Sequence, residues 1–198
     1  FSEIGSNDVP QVVPIIDTKG SLTKSLREAG IGAYQWPGNE IPKQVSDSPI
    51  WITGIGQKTI SASFAKNQLD GLESTRKASE SAYKMSKISS EQIDVLEIHD
   101  AFSVCELLAI TELGISSGEE SGEFVRNLFN TENRMVNPRG GLIGAGHPLG
   151  ATGISQTIEI TNQLQGNAGK RQITDAEVGL VHNMSAAGTS SSVMVMQT

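Results

Sequence analysis

Gly140-Gly141-Leu142-Ile143-Gly144-Ala145-Gly146-His147-Pro148-Leu149-Gly150-Ala151-Thr152-Gly153 is a glycine-dense run with a histidine and a proline side by side at its centre. Glycines let a backbone take positive φ and approach a ligand closely, and Pro148 fixes the dihedral just after the histidine. The glycine spacing matches neither the phosphate-binding P-loop nor the dinucleotide fingerprint. An imidazole pinned at the mouth of a helix is one reading; a phosphate-cradling loop or a plain turn is the other. The helix itself is expected at residues 154–165, where Ile154, Ile158 and Thr161 recur at helical spacing beside Thr157, Ile160 and Leu164, and Gly166 follows as a stop.

Upstream of this run the pattern is strand, helix, strand, helix. Residues 50–56, rich in β-branched and aromatic side chains and closed by glycine, read as a strand. Leu72, Thr75, Ala78, Ala82 and Met85 lay a small, weakly apolar stripe along a helix at about 70–86. A Ser89-Ser90 turn leads into a short strand at 93–98, and residues 101–113, apolar on most faces, read as a buried helix stopped by Gly114. Residues 114–134 form a long acidic connection with a helical turn expected at 124–129, and 134–137 a short strand. Downstream, 178–183 and 192–196 read as two strands of a hairpin, joined by a turn of small residues at 185–191. Elements alternating in this way give an α/β fold, a mixed sheet flanked by helices. Residues 1–48, with Pro10, Pro14, Pro37 and Pro42 and a helix expected at 21–29, read as a tail or the end of another region. The principal domain is expected over 49–198.

The bulk numbers narrow the function. The 198 residues are enough for one substantial core. The net charge of −7 and the lack of any basic patch argue against nucleic-acid and anionic-membrane surfaces. No apolar run approaches membrane-spanning length and no leader is visible, so a soluble, cytoplasmic protein is expected. A single cysteine, Cys105, excludes an internal disulfide framework and a multi-cysteine metal site, so no metal is expected. The sequence starts at Phe1 without a methionine, and reads as a fragment, a processed product or the ordered part of something longer.

Three histidines are placed at connections, where binding and catalytic groups tend to sit. His147 stands in the glycine loop. His99 follows the strand at 93–98, at the end of a strand where ligands bind in open α/β sheets, and Asp100 is available to cap the next helix; a solvent-facing histidine in a capping turn is the alternative. His182 lies near the end of the first hairpin strand. Cys105 falls in an apolar helix and reads as a small buried hydrophobe.

Two segments together resemble the thiolase family. Gly146-His147-Pro148-Leu149-Gly150-Ala151-Thr152-Gly153 is similar to its Gly-His-Pro-x-Gly-x-Thr-Gly motif, and Asn137-Pro138-Arg139-Gly140-Gly141 to the stretch ahead of it. Glu97-Ile98-His99-Asp100-Ala101-Phe102 looks like its Asn-Glu-Ala-Phe motif in the His-Asp form of the sterol-carrier-protein type branch, and Val181-His182-Asn183 ahead of Gly188 resembles that branch too. The likeness covers roughly residues 50–198.

The resemblance implies a layered αβαβα fold of two similar halves, of which this chain gives the C-terminal one. It implies acyl transfer from coenzyme A thioesters, of the acetyl-CoA acetyltransferase kind, in thiolysis or condensation. The nucleophilic cysteine would come from an N-terminal half, so this chain alone would be inactive. Coenzyme A enters as substrate, and no separate cofactor is implied. The residue matching His147 would activate the cysteine, and the one matching His99 would help bind the thioester oxygen. Gly146, Pro148 and Gly188 are carried over as substrate-binding positions. Both seats of the family's second cysteine, the acid/base, are empty: Met184 stands at one and Ala101 at the other. His182, one pleat repeat from Met184, is a possible catalytic substitute or a structural histidine bonded to a neighbouring loop. An unpaired half should associate, as a homo-oligomer or hetero-complex. A non-catalytic subunit that binds acyl-CoA or scaffolds a partner enzyme is the alternative function.

Overall fold

The computed structural model describes residues 48–61, 63, 70–117, 120–130 and 135–198. The helix expected at 21–29 lies outside them. Strand β1 (Trp51–Thr59) runs past the glycine expected to close it. Gly54 and Gly56 do not end the strand; they give helix α1 (Glu73–Ser86) room to approach. A Cβ on Gly56 would stand 1.8 Å from the Ala78 carbonyl oxygen, and one on Gly54 2.3 Å from that of Ala82. The small stripe of α1 is thus the surface that permits this contact, with Thr75, Ala78 and Ala82 all buried.

Strand β2 (Val95–Glu97) is shorter than expected and runs parallel to β3 (Val178–Met184). Strand β3 turns back into β4 (Ser190–Gln197), which pairs antiparallel with both β3 and β1. The four-stranded order is β1-β4-β3-β2. The strand expected at 134–137 is a single parallel bridge, Leu96 to Val136.

Side chains alternate across β4, and this divides the core. Val193 and Val195 join Leu96, Leu180, Ala78, Ala82, Ala109 and Ile110 on the face covered by α1 and α2 (Ser103–Glu112). Met196, with Val95 and Val181, meets Ile160 and Leu164 on the other face. Those two come from α5 (Thr152–Leu164), which opens as expected just after the glycine run. Between α2 and α5 lie α3 (Ser121–Asn130), a full helix where only a turn was expected, and the short α4 (Gly141–Ala145) inside the glycine run.

Helix α2 departs from its reading as a buried helix. Ala109 and Ile110 are buried, but Phe102 and Val104 at its start are 64% and 56% exposed. Cys105 is half-buried against the core. Among the described residues no helix is long and apolar enough to cross a membrane, and no cluster of His, Cys, Asp or Glu side chains is arranged to hold a metal ion.

Candidate active site

The chain leaves β2 through Ile98, His99 and Asp100, and each residue around His99 is tied to the segment that leads to His147. The Glu97 carboxylate accepts from Arg139 Nε at 2.6 Å, in an ion pair almost wholly out of solvent. Burial raises Glu97 to about 7 even against the opposing pull of Arg139. Arg139 also bonds Ser155 of α5. The Ile98 amide donates to Asn137 Oδ1 at 2.8 Å. Asp100 Oδ1 accepts the Leu142 amide, also at 2.8 Å.

Asp100 was expected to cap the helix that follows it. No side chain caps α2. Asp100 instead reaches across to an orphan amide in the first turn of α4, where a carboxylate is favoured by the free N–H groups. Gly141 is fitted to this contact: its φ is +61°, and a Cβ there would stand 1.9 Å from Asp100 Oδ2. Three rungs, at 97, 98 and 100 on one side and 139, 137 and 142 on the other, make the two histidine segments one unit.

The result is that His99 and His147 meet edge to face, with ring centroids 4.9 Å apart and planes at 84°. His147 is exposed and its Nδ1 lies 2.7 Å from Thr152 Oγ1. That hydroxyl donates its proton to the Pro148 carbonyl at 3.3 Å. A neutral ring that donates from Nδ1 to this hydroxyl carries its lone pair on Nε2. His99 is buried, and its Nδ1 has no partner among the described residues. Burial holds its pKa below the ordinary histidine value, the nearby His147 adds to this, and Asp100 opposes it.

An open cleft of about 360 Å³ lies against both imidazoles, lined also by Ala101, Phe102, Leu149, Asn183, Met184, Ser185 and Ala186. Met184 and Ala101, at the two positions that lack a cysteine, therefore both face this cleft. Gly146, Pro148 and Gly188 are not lining residues. Gly146 has φ +84° at the end of α4, and the Pro148 carbonyl accepts amides from Ala151 and Thr152, so both shape the loop that carries His147. Gly188 makes the hairpin turn at φ +64°.

His182 does not sit at a connection, as expected of all three histidines. It lies within β3, fully buried, with Nε2 3.0 Å from Thr75 Oγ1 of α1. Burial lowers its pKa to about 3, with a further push from His99. Glu97, Arg139, Asn137 and Asp100 went unassigned as a group in the sequence. Each of the four was visible in the sequence beside a histidine or the glycine run, but which of them paired with which was not.

A mixed sheet between helices, with a Gly-His-Pro loop facing a His-Asp turn across its strand ends, is the architecture of one half of a thiolase. The chain belongs to the thiolase family, with residues 56–198 matching the family described as "Thiolase C-terminal domain-like". It is 35% identical over 159 residues to an "Acetyl-CoA acetyltransferase" of Methanothermobacter thermautotrophicus, a match covering 79% of this chain and 42% of that protein. It is 41% identical over 120 residues to "Sterol carrier protein 2" of Bos taurus, covering 60% of this chain and 22% of that one. The solved "Ltp2-ChsH2(DUF35) aldolase" shares the fold, with a TM-score of 0.65 at 18% identity over 76% of this chain and 40% of that chain. The chain spans less than half the length of these proteins.

Proposed function

We propose that this chain supplies the C-terminal half of a thiolase-type acyltransferase acting on coenzyme A thioesters, with the nucleophilic cysteine contributed by an N-terminal half. The observation that carries this reading is the edge-to-face pair of His147 and His99 at the wall of an open cleft. The two rings are suited to different work. His147, exposed and with its lone pair on Nε2, takes the proton of the incoming thiol, and the resulting thiolate attacks the thioester carbonyl. His99, held neutral by burial, offers a ring N–H to the oxygen on which charge develops. Collapse of the tetrahedral intermediate expels the coenzyme A thiolate, which recovers the proton from His147 and leaves the acyl group on the cysteine.

The surface supports a missing half. Ile143 and Leu149 of the glycine loop are 90% and 85% exposed, and Ile154 and Ile158 on the outer side of α5 are 65% and 56% exposed. An apolar stretch of this kind on a folded domain marks an interaction face. The second reading is a non-catalytic subunit that holds an acyl thioester or a partner enzyme. Met184 and Ala101 favour it, since neither side chain in the cleft can carry the second proton.

Thiolysis of acetoacetyl-coenzyme A separates the readings. We expect no turnover from residues 1–198 alone and turnover when a thiolase N-terminal half bearing its cysteine is added. Tight association without turnover would favour the non-catalytic subunit, and turnover by the chain alone would overturn the requirement for a second half.

A further inference from the structure

Four side chains and one carbonyl behind the hairpin form a hydrogen-bond chain whose direction is fixed. Ser74 Oγ donates to the Gly188 carbonyl at 2.6 Å. A carbonyl oxygen only accepts, so this contact uses the single hydroxyl proton of Ser74. The 2.8 Å contact between Ser74 and Ser191 must then be donated by Ser191. The 2.9 Å contact between Ser191 and Thr75 is donated in turn by Thr75. Thr75 has no proton left for His182, and the 3.0 Å contact to Nε2 requires the ring N–H. The neutral imidazole carries one proton, so Nδ1 is left bare, and that atom is buried without a partner among the described residues.

The chain joins four places in the fold. His182 is on β3, Thr75 and Ser74 on α1, Ser191 on β4 and Gly188 in the turn between the strands. Asn183, Met184, Ser185 and Ala186, which line the cleft, stand between His182 and Gly188 in the same hairpin. Gln156 of α5 fixes the segment from the other face, donating to the His182 carbonyl at 3.2 Å and accepting from Asn183 at 2.9 Å.

We propose that His182 is a positioning residue: a neutral Nε2–H donor at the head of a one-way chain, through Thr75, Ser191 and Ser74 to the Gly188 carbonyl, that holds the hairpin wall of the cleft against α1. It does not carry the proton that a second cysteine would carry, because its only ring proton is committed to Thr75 and its other nitrogen is buried without a partner among the described residues. The tautomer stands on the hydrogen bonds alone; its consequence for turnover rests on the acyltransferase reading.

The test is long-range ¹H–¹⁵N NMR of the full ¹⁵N-labelled chain, in which each ring nitrogen reports whether it bears the proton. The chain has three histidines, so His182 is assigned by its loss in His182→Gln or, should that variant not fold, by subtracting His99→Gln and His147→Gln. We expect a pyrrole-like Nε2 and a pyridine-like Nδ1. The opposite tautomer, or a ring protonated on both nitrogens at neutral pH, would overturn the proposal whatever the reaction. With the N-terminal half added, His182→Ala should slow acylation and condensation by the same factor, and His182→Gln, whose amide can also donate to Thr75, should recover most of that loss. A selective loss of condensation in both variants would overturn the positioning role and make His182 a proton carrier.

Discussion

Asp100→Ala removes the carboxylate that joins the turn behind His99 to the helix ahead of His147. The Asp100 side chain is buried, and its Oδ1 accepts the Leu142 amide at 2.8 Å. Truncation leaves that amide in the interior with no acceptor. A hydrogen bond to a charged group contributes about 1.5–3 kcal/mol, and an orphaned buried donor costs about as much, so a loss of about 2–3 kcal/mol is expected. Asp100→Asn keeps an oxygen at the same place but not the charge. Charge-assisted bonds are roughly twice as strong as neutral ones, so the Asn variant should lose about half as much. The two rings then lose a shared reference, and a displacement of ~1 Å at a catalytic pair costs on the order of 10²-fold in rate. Urea denaturation of the three proteins measures the first effect, and the acylation rate with the N-terminal half measures the second. Equal urea midpoints for wild type and Asp100→Ala, at equal m-values, would refute the clamp.

Three further outcomes follow from the packing and the buried charges. Gly56→Ala places a methyl 1.8 Å from the Ala78 carbonyl oxygen, a backbone atom that cannot rotate away; overpacking of this kind costs about 1–3 kcal/mol or more, and an unchanged melting temperature would contradict the close contact of β1 with α1. Glu97 has its folded pKa raised from 4.5 to about 7, so its contribution is fully present below pH 4.5 and is lost as pH rises through 7. Removing its partner in Arg139→Leu leaves the charge unpaired, so thermal melts should show a loss of about 3–5 kcal/mol at pH 8 and a smaller one at pH 5; equal losses would contradict the assignment. His182 has its folded pKa lowered from 6.5 to about 3, so the unfolded chain takes up the extra proton first as pH falls. Its neutral burial therefore costs nothing above pH 6.5 and destabilises increasingly from 6.5 down to 3, with a slope of up to ~1.4 kcal/mol per pH unit; His182→Gln should flatten the stability profile in that window, and an unaltered slope would count against it.

The glycine run, the helix after it and the hairpin were legible because local chemistry decides them: glycine and proline punctuate, and Ile154, Ile158 and Thr161, beside Thr157, Ile160 and Leu164, keep a helical period whatever they pack against. Two readings failed for a common reason. Gly56 looked like the end of a strand and Asp100 like the cap of its own helix, since sequence shows only neighbours along the chain. Their partners, Ala78 and Leu142, lie on other elements. His182 was left between a catalytic substitute and a structural histidine bonded to a neighbouring loop, since sequence does not show that α1 covers it and supplies Thr75 as its partner. The pairing of His99 with His147 was suggested by resemblance alone, and its cause is tertiary: Glu97, Asn137, Arg139 and Asp100 bond across 42 or fewer residues of chain that periodicity cannot connect.

The central claim is that His147 serves as the base for a cysteine that this chain does not contain. Formation of the covalent acyl-enzyme tests it most directly, measured as the burst of radiolabel transferred from acetyl-coenzyme A to the N-terminal half in the reconstituted protein. We predict a stoichiometric burst with the wild-type chain and none with His147→Ala, while the two halves still associate. A burst of normal size and rate with His147→Ala would contradict the account.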